Sequence, residues 1–285
     1  MADVASPTDN NVHDNDSEDV EVLEIESGAT EVDLMRTRLK KIEGIEFLTA
    51  VEKLCIEKIE GLSTLVNLST LDLSFNRISK IEGLETLKQL KTLYMVHNKI
   101  EKIEGLEELT QLEYLELGDN RIKQMEGLSS LTSLRRLFLG ANQIRVVEGL
   151  EELQQLEVLS LPGNIITVIG GVHCLPSLSQ LYLNQNGIQR IGNLEANTSL
   201  EILDLNHNRL EDVANVAHLK NLTDLWISSW SVLGEVSQLP LLRLLYLESN
   251  PFMASLSHSA YRSRVIEALP QLTRLDAEPT PGNTF

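Results

Sequence analysis

The sequence predicts an α/β solenoid, and three observations carry that expectation. First, a pattern L-x-x-L-x-L-x-x-N-x-I/L begins at Leu68 and returns with one period: its leading leucines are Leu68, Leu90, Leu112, Leu134, Leu156, Leu178, Leu200 and Leu222, each 22 residues after the last. Second, the asparagines Asn76, Asn98, Asn120, Asn142, Asn164, Asn186 and Asn208 keep the same phase. Third, each unit has a second half of its own, typified by KIEGLETLKQL at 80–90. A period of this length with this spelling is that of a leucine-rich-repeat solenoid, whose units bury their apolar faces on one another.

The physics of one unit accounts for its residues. In L-x-L the two leucines point one way and the middle residue the other, as a strand requires. The leucines enter a core shared with neighbouring units, and the middle residue is left on the concave face of a short parallel sheet. The strand must then turn, and a buried turn leaves backbone groups in need of partners. Asparagine carries a donor and an acceptor on a short stem, so stacked copies can bridge successive turns. The second half supplies Ile81, Leu84 and Leu87 on roughly helical spacing, which predicts short helices and turns on the convex side, with Gly83 at a tight bend.

Taken in order, the chain opens on an acidic segment. Residues 1–31 hold ten carboxylates and no lysine or arginine. Such a stretch is too polar to build a core and is expected to be a disordered tail. The array is expected over 32–250. It begins with a degenerate repeat at 32–48 that keeps Ile42-Glu43-Gly44-Ile45, then a clipped one in which Val51 precedes Leu68 by 17 residues. Seven regular repeats follow. The eighth, from Leu222, has Trp230 where asparagine belongs and reaches Leu242 after 20 residues. LRLLYLESNP then closes the array at Asn250-Pro251. Residues 251–276 include AYRSRVIEALPQLTRLD, which reads as a helix ending before Pro270 and a return strand, a cap for the last hydrophobic layer. Residues 277–285 read as a loose tail.

Composition excludes several functions. The formal charge is −18, of which −8 remains outside the acidic segment. An acidic solenoid repels phosphate backbones, which argues against nucleic acid as a partner. The first 30 residues carry neither a basic n-region nor an apolar h-region, so no secretory leader is expected. No run of 18 apolar residues is present, so no membrane span is expected. The N-x-S/T sequons at Asn67, Asn197 and Asn221 are therefore read as incidental. Cys55 and Cys174 lie about five repeats apart and read as unpaired thiols.

Motifs of chemistry are missing. The sequence has no phosphate-binding glycine loop, paired-histidine zinc motif, C-x-x-C pair or nucleophile elbow. Gly170-Gly171 replaces the usual Glu-Gly as a turn variant. Among the histidines, His97 and His207 share a phase just before the asparagine but stand five repeats apart. The reading is a non-enzyme with no catalytic residues, metal ligands or cofactor.

The concave column stands out instead. The middle residues of L-x-L are Asp72, Tyr94, Glu116, Phe138, Ser160, Tyr182, Asp204, Trp226 and Tyr246. Five of nine are aromatic in a chain where aromatics make up 4%, and three of the others are acidic. Aromatics favour strands and stack on neighbours. On a face with no covering layer, however, a line of rings framed by carboxylates has the composition of a protein interface.

At these residues the sequence resembles a known family. KIEGLETL, LYMVHNKI, LELGDNRI and LFLGANQI, with the ending LYLESNP…YRSRVIEALPQLTRLD, are similar to the regulatory subunit 7 family of protein phosphatase 1 across residues 32–276. The resemblance implies a nuclear and cytoplasmic regulator that is monomeric before binding. It implies that an acidic and aromatic row on the concave face holds the phosphatase catalytic subunit, sometimes with a further inhibitor subunit. The matching positions are Asp72, Tyr94 (where the family has phenylalanine), Glu116, Phe138, Asp204, Asp224 (where it has glutamate), Trp226 and Tyr246. The array is about one repeat shorter than the family's near the amino end. The residues lost around Trp230 leave room for Tyr246 to shift relative to Trp226. A leucine-rich-repeat module of cilia or microtubules is the alternative, and a splicing-complex role is disfavoured by charge.

Overall fold

The computed structural model describes residues 31–32, 53–55, 62–211, 214–227, 232–247 and 257–283, with side chains from Leu62 onward. The acidic residues 1–30, Ile42-Glu43-Gly44-Ile45, Trp230 and Asn250-Pro251 lie outside them.

Strands form where the L-x-L pattern places them from Lys53 to Tyr246, and three more lie outside that pattern. The series begins with β1 (Glu31–Val32), β2 (Lys53–Cys55), β3 (Thr70–Asp72), β4 (Thr92–Tyr94), β5 (Tyr114–Glu116) and β6 (Arg136–Phe138). The series continues with β7 (Val158–Ser160), β8 (Gln180–Tyr182), β9 (Ile202–Asp204), β10 (Asp224–Trp226), β11 (Leu244–Tyr246), β12 (Arg274–Leu275) and β13 (Glu278–Pro279). They lie in chain order in one sheet. Each pairs in parallel with the next, except the antiparallel β12–β13 pair. This is the leucine-rich-repeat solenoid.

The clipped units keep this register. Lys53 pairs with Thr70 across the 17-residue repeat, and Trp226 pairs with Tyr246 across the 20-residue one. The missing residues come out of the connections, because a strand slipped by one residue would turn its leucines out of the core. Those leucines are fully buried: Leu71, Leu93, Leu115, Leu137, Leu159, Leu181, Leu203, Leu225 and Leu245 belong to one apolar cluster running the length of the array.

The convex side differs from expectation. In the regular repeats it consists of linked turns, and the described helices are α1 (Val232–Val236) in the shortened eighth repeat and α2 (His258–Ala268) in the cap. The spacing explains why. Leu84, Leu87 and Leu90 recur every three residues, and their amides close three-residue turns: Leu87 N–H to Leu84 C=O and Leu90 N–H to Leu87 C=O, both 3.0 Å. A 3.6-residue helix would carry the third leucine off the buried face.

Two side-chain devices hold the turns. One is the ladder of asparagine amides, in which Asn142 donates to the Leu117 carbonyl. At the convex bend the glycines take left-handed backbone, as Gly127 does with φ 67°. Asn193 and Asn215 replace glycine with φ 60° and 63°. Each donates its Nδ2 to a carbonyl one turn back, Ile169 at 2.6 Å and Ile191 at 3.0 Å. Asn197, the second sequon residue, stands in a buried leucine position and bonds the Val172 carbonyl at 2.9 Å.

The cap extends further than the sequence suggested. Tyr261, Val265, Leu269, Leu272 and Leu275 close the core. The supposed loose tail continues the cap through Asn283. Glu278–Pro279 pairs back on β12, Thr280 is buried, and Arg262 donates to the carbonyls of Leu275 (3.0 Å) and Pro279 (2.8 Å). Asp276 is the pivot. It takes φ 56°, accepts the Leu247 amide at 2.7 Å and accepts the Tyr261 hydroxyl at 2.9 Å. A buried carboxylate with these two donors does for the last turn what asparagine does for the others.

Candidate protein-binding surface

Parallel register places the column residues side by side. Asp72 pairs with Tyr94, Tyr94 with Glu116, Glu116 with Phe138, and the sequence continues through Ser160, Tyr182, Asp204 and Trp226 to Tyr246. All nine are half-buried. The shift of Tyr246 for which the shortened repeat left room does not occur, since Tyr246 lies opposite Trp226. Asp224 lies on the same face, two residues before Trp226, and pairs with Ile202 and Leu244.

A second column therefore runs beside the first, and the sequence reading drew only Asp224 from it. It contains Thr70, Thr92, Tyr114, Arg136, Val158, Gln180, Ile202, Asp224 and Leu244. Tyr114 is its most consequential member. Its ring lies 5.1 Å from that of Tyr94 and 5.1 Å from that of Phe138, joining two rings that are two strands apart. Its hydroxyl donates to Glu116 Oε2 at 2.9 Å. The two-residue alternation of a strand was the signal that could have found it.

Electrostatics on this face are set by partial burial and by short local bonds. Asp72 Oδ1 accepts the Ser74 amide at 2.9 Å, and Asp204 Oδ1 accepts the Asn206 amide at 3.0 Å. These bonds to the amide two residues on hold each carboxylate in one orientation. Burial pushes the Asp204 carboxyl above its ordinary value, with the Asn206 amide and His207 pulling the other way. Burial also pushes up the Tyr182 phenol, helped by the charges of Asp204 and Asp224. The Tyr114 phenol is raised first by burial and then by its bond to Glu116. These tyrosines stay neutral donors at any physiological pH.

Between the aromatic and the acidic stretches the face sinks. Ser160 is small, and a depression of about 420 Å³ opens there, lined by Arg136, Phe138, Val158, Gln180 and Tyr182. It is open to solvent and holds no convergent acid–base pair. Among the described residues no three His, Cys, Asp or Glu side chains come together to hold a metal ion. His97 instead pairs with Asp119 and lies against the Phe75 ring at 5.3 Å. The Cys174 thiol is raised by burial and donates to the Gly171 carbonyl. No described helix is long and apolar enough to cross a membrane.

Comparison with known proteins agrees with the fold. The model "Leucine Rich repeats (2 copies)" matches residues 66–108 and 110–153, and "Leucine Rich repeat" matches 196–214. No curated protein matches the chain. Among solved structures, the functional domain of InlJ from Listeria monocytogenes is 25% identical with TM-score 0.63, covering 76% of this chain and 48% of that one. This chain thus spans about half the length of that relative. The internalin InlF of the same organism is 26% identical with TM-score 0.64, covering 86% of this chain and 79% of that one. The leucine-rich-repeat part of FLRT2, in an octameric complex with Latrophilin 3 and Unc5D, is 21% identical with TM-score 0.73, covering 92% and 88%. That last likeness is one of fold alone.

Proposed function

We propose that the concave face of this leucine-rich-repeat solenoid docks the catalytic subunit of protein phosphatase 1. The observation that carries the reading is the unbroken register of aromatic and acidic side chains, half-exposed, on a sheet face. The FLRT2 repeats assemble with other proteins, which is the kind of use this fold serves. The choice of partner rests on the resemblance at Asp72, Tyr94, Glu116, Phe138, Asp204, Asp224, Trp226 and Tyr246.

Docking would divide the work between two kinds of residue. Asp72, Glu116, Asp204 and Asp224 meet a basic patch and speed the encounter, while Tyr94, Phe138 and Trp226 supply desolvated contact. Tyr114 joins the second group through its rings on either side. The chain contributes no chemistry of its own. It restrains, targets or matures the enzyme in nucleus and cytoplasm, with a further inhibitor subunit in some assemblies.

A pull-down from cell extract, probed for the phosphatase catalytic subunit and for tubulin and axonemal proteins, tests the reading. Recovery of the catalytic subunit, lost in Phe138→Ala, supports it. Recovery of tubulin instead replaces it with the ciliary alternative.

A further inference from the structure

Charge is unevenly distributed around the solenoid. The position after the ladder asparagine holds Arg77, Lys99 and Arg121 in three successive repeats. Backbone bonds keep these residues in line: the Lys99 amide donates to the Ile78 carbonyl and the Arg121 amide to the Ile100 carbonyl, each at 2.8 Å. Two positions further on, Lys123 and Arg145 prolong the strip into the next repeat. All five are exposed, and none is ion-paired with a described carboxylate. Glu101 is the one carboxylate at these two positions in the four repeats. The neighbouring row behaves differently, since Lys80 pairs with Glu82 and Lys102 with Glu104 and Glu126. A chain with charge −18 thus keeps an unneutralised basic strip on one flank.

We infer that the strip is the docking site of this chain's own acidic segment, centred on EDVEVLEIE at 18–26. That segment places five carboxylates (Glu18, Asp19, Glu21, Glu24, Glu26) in nine residues, and no lysine or arginine lies within residues 1–31. Geometry permits the contact. At ~4.8 Å between strands, the strip from Arg77 to Arg145 is ~14 Å long, the length of four or five extended residues. The segment joins the sheet at β1, two strands from β3, which is ~10 Å. The ten residues from Val22 to Glu31 reach ~30 Å when extended. The tether also gives the segment an effective concentration in the ~mM range, so weak charge pairing suffices for occupancy. Phe75, 47% exposed at the head of the strip, offers apolar surface to Val20, Val22 or Ile25. This inference is independent of the concave partner.

Zero-length carbodiimide cross-linking of the full chain at low concentration tests it. The reagent joins carboxylates to lysine amines, so Lys99 and Lys123 report the contact. Peptide mapping of the monomer band should find Glu18, Glu21, Glu24 or Glu26 joined to Lys99 or Lys123. The double variant Arg77→Glu/Arg121→Glu keeps both reporters and should lower that yield at least ~fivefold, as should 1 M salt with a Debye length of ~3 Å. The salt arm uses the natural chain and decides the matter if the variant melts early. Three results overturn the inference: yields on exposed Lys88 or Lys220 as high as on Lys99, joined peptides only in a dimer band, or no joined peptides.

Discussion

The side chain of Asn142 donates to the carbonyl of Leu117, one turn earlier, at 2.9 Å, and its Oδ1 accepts the Ile122 amide at 2.9 Å. Asn98, Asn120, Asn164, Asn186 and Asn208 repeat this pair of bonds. Each asparagine therefore belongs to two turns at once, and removing Asn142 leaves the Ile122 amide without its acceptor and the Leu117 carbonyl with the Asn120 side chain as its remaining amide donor. Asn142→Ala should cost ~1–3 kcal/mol in urea unfolding. Binding at the concave face should be unchanged, since Asn142 lies outside it. An unaltered midpoint would refute the ladder.

At Gly127 the convex bend leaves no room for a side chain. Gly127 has φ 67°, and a Cβ there would lie 2.3 Å from the Ile103 carbonyl oxygen. Gly170 has ordinary backbone and open space around it. Gly127→Ala should lower the melting temperature, costing more than the ~1–2 kcal/mol of left-handed backbone alone. Gly170→Ala should leave it within error.

Concave aromatics should matter for binding and little for stability. Phe138→Ala and Trp226→Ala should each weaken the proposed phosphatase complex by ~2 kcal/mol or more, about thirtyfold, in calorimetric titration. Glu116→Ala should lose ~1 kcal/mol or less, and Ser160→Ala almost nothing. Tyr114→Ala belongs with the aromatics, because it supports both Tyr94 and Phe138. Large stability losses with intact binding would make the column a structural ladder.

Salt separates steering from packing. If Asp72, Glu116, Asp204 and Asp224 guide the encounter, raising ionic strength should slow association more than it speeds dissociation. Stopped-flow rates that ignore salt would remove electrostatics from the docking step.

Asp204 predicts a pH dependence of stability. Its folded carboxyl titrates above the ordinary 3.8, so between the two values the native state holds a proton that the unfolded chain has lost. Stability falls as pH rises through that window, and the full loss is present above the folded value. Asp204→Asn keeps the acceptor for the Asn206 amide and removes the titration. Denaturant midpoints should show the variant matching the parent near pH 3 and exceeding it at pH 7. Equal midpoints at both pH values would deny the burial effect.

Much of this architecture was legible because a solenoid is nearly one-dimensional. Each repeat contacts its neighbours, so one period read from leucines and asparagines places the strands of the regular repeats, the inward leucines and the outward column. The column from Asp72 to Tyr246 needed only the two-residue alternation of strands. On the convex side the expected turns form, while the expected short helices are absent from the regular repeats, because leucines every three residues would leave the buried face in a 3.6-residue helix.

What the sequence determined by itself was the repeat, the buried face and the exposed aromatic and acidic row, since these follow from local period and side-chain direction. Tertiary structure decided what depends on neighbouring turns. It kept Tyr246 opposite Trp226 across a shortened repeat, set Tyr114 between Tyr94 and Phe138, folded Glu278–Pro279 back on the cap, and aligned Arg77, Lys99 and Arg121 on one flank. The physical reason is that residues 22 apart in sequence lie one strand spacing, ~4.8 Å, apart in space, and only stacked backbones bring their side chains together.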